Sequence, residues 1–160
     1  MMEMMTVIVI ISILSVMILS SVASLRGKAE RARCVNNLEG LYAAGCAYLL
    51  DHESWPQVST VDITTPDFAQ AWMDAFKPYQ IGVPNWTCET VQKSIGSPPF
   101  DPANPQIDYL PASFDARPSS PWRFPTQPWF IERADAHGDG NLLIFTNGQI
   151  HSVNELKGKK

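Results

Sequence analysis

MMTVIVIISILSVMILSSVASL, residues 4–25, carries no charge. Glu3 precedes it, and Arg26, Lys28, Glu30, Arg31 and Arg33 crowd the residues that follow. A helix rises about 1.5 Å per residue, so the run spans roughly 33 Å, enough to cross a hydrocarbon core about 30 Å thick. What comes next is not a linker. Proline is absent between Arg26 and Asp51, and apolar residues recur at Val35, Leu38, Leu41, Tyr42, Cys46 and Leu49. That spacing of three and four predicts a helix with one buried face. The two halves are expected to join into one helix of roughly 48 residues, about 70 Å long. Three segments follow: a transmembrane or filament-core helix over 1–25, an amphipathic stem over 26–56, and a globular head over 57–160.

Beyond the stem, Trp55 stands before Pro56, and a residue before proline is driven out of helical geometry. Trp55 is therefore expected to be extended and to fold back on the helix. Thr65-Pro66-Asp67 reads as a helix start, with Thr65 as the cap, and Pro78 stops that helix after Phe76. A second short helix is expected over 88–95. Nine prolines fall between Ser97 and Pro128, which rules out interior strands there and leaves one short edge strand at Ile107-Asp108-Tyr109-Leu110. Strands are then expected at 129–132, 141–145 and 149–153. Asn147-Gly148 suits a tight hairpin with positive φ angles, and Lys157-Gly158-Lys159-Lys160 reads as a solvated tail. The fold class is α+β, a long N-terminal helix packed on a small antiparallel sheet.

Charge is unevenly spread. Residues 1–33 carry +2 and residues 34–160 carry −6, within a net charge of −4. An acidic head argues against nucleic acid as a direct partner, because phosphate binding needs a basic face. Cys34 and Cys46 lie roughly 18 Å apart on the expected helix, too far for a bond, so any disulfide must use Cys88 with one of them. Three reduced or half-buried cysteines are the plainer reading, and without a CxxC pair zinc is poorly supported. The apolar run lacks a basic segment before it and exceeds the usual length of about 7–15 residues for a cleaved signal, so an anchor is expected. Counting Lys and Arg would place the cluster after Leu25 in the cytoplasm.

The layout resembles the type IV pilin-like proteins, more narrowly the pseudopilins of type II secretion. The resemblance rests on Glu3 heading Met4-Met5-Thr6-Val7-Ile8-Val9-Ile10-Ile11-Ser12-Ile13-Leu14. It rests also on the basic stretch that leads into Cys34-Val35-Asn36-Asn37-Leu38, on Trp55-Pro56 closing the stem, and on His137-Gly138-Asp139-Gly140-Asn141 with Asn147-Gly148 near the end. It covers about fifty N-terminal residues and about twenty C-terminal ones. It implies a non-enzymatic subunit of a secretion- or pilus-type filament, held in the bacterial inner membrane by a single span with its head outside the cytoplasm. Its partners would be other pilin-like subunits, in a homo- or hetero-oligomer, together with a prepilin peptidase and an assembly platform. The family's precursor carries a short basic leader ending in glycine, whereas only Met1 and Met2 stand before Glu3 here. Such a leader would reverse the charge balance across the span. Cleavage and methylation of the N-terminus are implied by the resemblance alone.

Glu3 is the candidate assembly residue. A carboxylate at the edge of an apolar helix needs a partner, and in the family it pairs with the N-terminal amine of a neighbour. Asp135, Asp139 and Asn141, beside Gly138 and Gly140, offer oxygens that calcium would take. Their spacing is not that of an EF-hand, so a glycine-rich turn is the favoured reading and no cofactor is required. His52, His137 and His151 read as surface or satisfied side chains. The tryptophans read as core. No GxSxG, HExxH or phosphate-cradling loop is present, so no enzyme is expected. The alternative is a single-pass anchored domain that binds an extracytoplasmic ligand through its proline-rich region.

Overall fold

The structure, a computed structural model, describes residues 2–59 and 62–158, and for residues 2–4, 6 and 16–24 the backbone alone. Helix α1 runs Met2–His52. The chain divides into two compact units, Met1–Arg33 and Cys34–Lys160, so the stem from Cys34 onward shares the head's core. Among the described residues no helix is long and apolar enough to cross a membrane. The expected span includes residues 16–24, whose side chains lie outside the described set.

Within the second unit, α1 buries Cys34, Leu38, Leu41, Ala44 and Leu49, a stripe of period 3.6. Val35, Tyr42 and Cys46 flank it, half-buried. Glu53 ends the helix with φ 59°, a left-handed turn that swings Trp55 back over the stem. Trp55 is fully buried, and its Nε1 donates to the Ala112 carbonyl at 2.9 Å. Rings of Trp72, Phe76, Phe114, Trp129 and Phe130 surround it at centroid distances of 5.2–6.2 Å. Trp72, Trp86 and Trp129 are buried as completely, while Trp122 stays partly exposed. Most of the tryptophans thus form core, as expected.

Helix α2 (Pro66–Phe76) starts at Thr65, whose hydroxyl accepts from the Phe68 N–H. Two short helices follow, α3 (Val83–Trp86) and α4 (Glu89–Ile95). The sheet is a four-stranded antiparallel meander in the order β1 (Tyr109–Pro111), β2 (Pro128–Glu132), β3 (Leu142–Phe145), β4 (Ile150–Ser152). Pro111 sits on the edge strand, where a missing N–H is tolerated.

Three details differ from the sequence reading. The β3–β4 connection is not a two-residue turn with two positive φ angles. Gly148 N–H donates to the Phe145 carbonyl at 2.8 Å, and Gly148 alone of the turn has positive φ, 75°. This is a three-residue loop closed by a left-handed glycine. Strand β2 carries a bulge between Pro128 and Phe130, so Trp129 and Phe130 are consecutive and both buried. A bulge supplies the extra residue that breaks alternation. Finally, β4 passes directly into α5 (Val153–Lys157), where Ser152 and Glu155 cap one another, so Lys157 belongs to a helix and not to a tail.

Candidate functional site

The N-terminal unit presents an apolar surface. Met5, Val7, Ile8, Val9, Ile10, Ile11, Ile13, Leu14 and Leu25 are each more than half exposed. The exposed residues fall at every helical angle, so this is an apolar cylinder and not a stripe. Its described serines, Ser12 and Ser15, do not break that character. Ser12 Oγ donates to the Ile8 carbonyl at 2.7 Å, and Ser15 Oγ to the Ile11 carbonyl at 2.8 Å. Hydroxyls bonded one turn back need no outside partner. Glu3 lies in the first turn of α1, and its side chain is outside the described residues.

The candidate calcium oxygens of Asp135, Asp139 and Asn141 lie in the β2–β3 connection, which the sequence reads first as a glycine-rich turn. Asp135 Oδ1 accepts from the Gly138 N–H at 2.7 Å, and Asn141 Nδ2 donates to the Glu132 carbonyl at 2.8 Å. These bonds are those of an ordered turn, and Gly138 and Gly140 supply its positive φ angles, 80° and 88°. Asp139 faces the start of α5, with its carbonyl accepting from Asn154 N–H at 3.4 Å.

A second cluster was not legible in sequence. Cys34, Cys88 and Glu132 bring their ligand atoms within 4.8 Å of one another, all buried. They come from α1, the cap of α4 and the end of β2. Among the described residues this is the group of His, Cys, Asp and Glu side chains able to hold a metal. No sulfur–sulfur bond joins any two of the three cysteines in the structure. The Sγ atoms of Cys34 and Cys88 are 2.6 Å apart. In the reduced pair, the Cys88 thiol is held below its usual range, first by the Cys34 hydrogen bond and then by the Val91 and Thr90 amides. Cys34 is pushed up, first by the Cys88 hydrogen bond and then by burial.

Polar groups ring the pair. Asn37 Nδ2 donates to the Thr87 carbonyl and to Tyr109 Oη, at 3.3 and 3.4 Å. Asp108 Oδ2 accepts from Cys88 N–H at 2.7 Å and from Gln92 Nε2 at 3.1 Å. Burial pushes the Asp108 carboxyl up despite these bonds. Glu132 is wholly buried. Its Oε2 accepts from the Leu142 N–H at 3.2 Å, while Oε1 faces His137 Nε2 at 3.6 Å. Neither Oε1 nor Nε2 has a hydrogen-bond partner. Desolvation dominates at Glu132 and raises its carboxyl, against the Leu142 amide and His137. His137 is thus buried beside a carboxylate, where the sequence reading placed it on the surface or satisfied. His52 is exposed and stacks on Tyr48 at 4.1 Å, and His151 is half-buried near Glu155.

Spacing rules could not find this cluster, because its members lie 54 and 44 positions apart in the chain. One signal was available. Glu132 shares a strand face with Phe130, which is an inward face. Comparison of the chain with family models, with curated proteins and with solved structures finds no match in any of the three.

Proposed function

We propose that the chain is a non-enzymatic, pilin-like structural subunit that assembles through its N-terminal helix into a secretion- or pilus-type filament. The observation that carries this reading is the apolar cylinder of α1, headed by Glu3 and exposed on all sides over its described residues. Such a surface is stable only under lipid or against other apolar helices. The bonds of Ser12 and Ser15 within their own helix suit either surrounding. On this reading the span rests in the bacterial inner membrane with the acidic head outside the cytoplasm. Glu3 is its docking residue, pairing with the terminal amine of a neighbouring pilin-like subunit. A prepilin peptidase and an assembly platform complete the process.

Glu3→Ala is the test. Incorporation into filaments is expected to fall at least tenfold, with the circular dichroism and melting of the head unchanged. Incorporation at the parental level would remove Glu3 from the assembly role. A chain that remains monomeric in the membrane while the machinery is active would favour the anchored binding domain instead.

A further inference from the structure

Cys34 is fully buried on α1, and Cys88, 4 % exposed, caps α4. Their sulfurs stand 2.6 Å apart. Non-bonded heavy atoms rest at roughly 3.5–4.0 Å. Two thiolates on a tetrahedral zinc, each about 2.3 Å from the metal, keep their sulfurs roughly 3.8 Å apart. A sulfur–sulfur bond measures about 2.05 Å. The observed separation is too short for a packed thiol pair or for a shared metal, and it lies closest to the bond. Glu132 Oε2 and Asp108 Oδ2 then each accept from a backbone amide, and the two carboxyls stand as neighbours of the pair and not as ligands. Cys46 lies three turns further along α1, on the flank of the stripe beside Tyr42.

We propose that Cys34 and Cys88 close a disulfide that ties the stem helix to α4. The two thiols give up two electrons and two protons. A second disulfide, that of a thiol oxidoreductase or of glutathione, accepts both and leaves as two thiols. Both sulfurs being buried in the fold, the exchange takes place on the folding chain. The bond rests on head geometry and not on the filament reading, and its compartment would be an oxidising one.

The full chain, purified in detergent, is refolded in a glutathione buffer with the disulfide form in excess, then denatured and treated with N-ethylmaleimide. The expected result is no maleimide on Cys34 or Cys88 before reduction and on both after it. A peptide map should contain Cys34 joined to Cys88. Cys46→Ser keeps that link. Reductant is expected to lower the Tm of the parent by roughly 10 °C, since the bond closes a loop of more than fifty residues. Maleimide or glutathione on Cys34 and Cys88 without reduction, a link through Cys46, or one retained zinc ion per chain that shields both thiols until chelated would each overturn the proposal.

Discussion

Gly45 lets the stem pack closely against Trp55 and against Trp129 of β2. A Cβ built there would meet the Trp55 ring at 3.1 and 3.2 Å and the Trp129 ring at 3.4 Å. Alanine would gain about 1 kcal/mol of helix propensity over glycine. Overpacking costs roughly 1–3 kcal/mol where the neighbour cannot move, and Trp55 is wedged among five other aromatic rings. Gly45→Ala is therefore expected to lower Tm by a few degrees in a thermal melt, against the sign that propensity alone gives. Glu132 decides a different property. Its carboxyl titrates above the ordinary 4.5 because burial outweighs its amide bond. The folded state thus holds that proton more tightly than the unfolded chain does. The associated stability is fully present below pH 4.5 and is lost as pH rises through the raised folded value. Glu132→Gln, which keeps an acceptor for Leu142 N–H, is expected to melt above the parent at pH 7. That advantage should shrink as the pH is brought down toward 4.5. An advantage independent of pH would show that the carboxylate's charge is not what matters.

Among the elements, those built on one chain-local pattern were legible. The stem face followed from period 3.6, the start of α2 from Thr65-Pro66, and the strands from their apolar runs. What escaped has physical reasons. The bulge in β2 places Trp129 and Phe130 in the core together, which a strict alternation of two cannot show. Helix α5 is only five residues long and follows β4 without a loop, although Ser152 and Glu155 did announce its capping box. Asn147-Gly148 marked the hairpin correctly but not its loop type, because only Gly148 takes the left-handed conformation. A Cβ on Gly148 would also meet the Tyr42 ring at 3.2 Å, and Tyr42 Oη donates to the Thr146 carbonyl at 2.7 Å. The turn is held by the stem as much as by its own sequence. Of the candidate site, the apolar helix was visible in composition. The thiol–carboxylate cluster was not, since α1, α4 and β2 must fold before its members meet.

At the scale of the molecule, the described core of the second unit begins at Cys34. A chain beginning at Gly27 is expected to stay in solution without detergent and to melt within about 3 °C of the full chain. The full chain should require detergent or lipid. Equal behaviour in sedimentation without detergent would mean that the apolar cylinder finds cover within its own chain. That cylinder has a mechanical consequence. Ser12 and Ser15 donate their hydroxyls to Ile8 and Ile11, so among the described side chains of this stretch a neighbour meets chiefly dispersion contacts. An apolar contact displaced along the axis is regained with a partner of the same kind at the next ridge and groove. Such a surface resists axial sliding through the interlocking of its side chains, without the directional bonds that a polar surface would add. In a bundle of such helices, axial stretch would be softer over the apolar length than between polar surfaces, and recoil would be set by whatever holds the first turn.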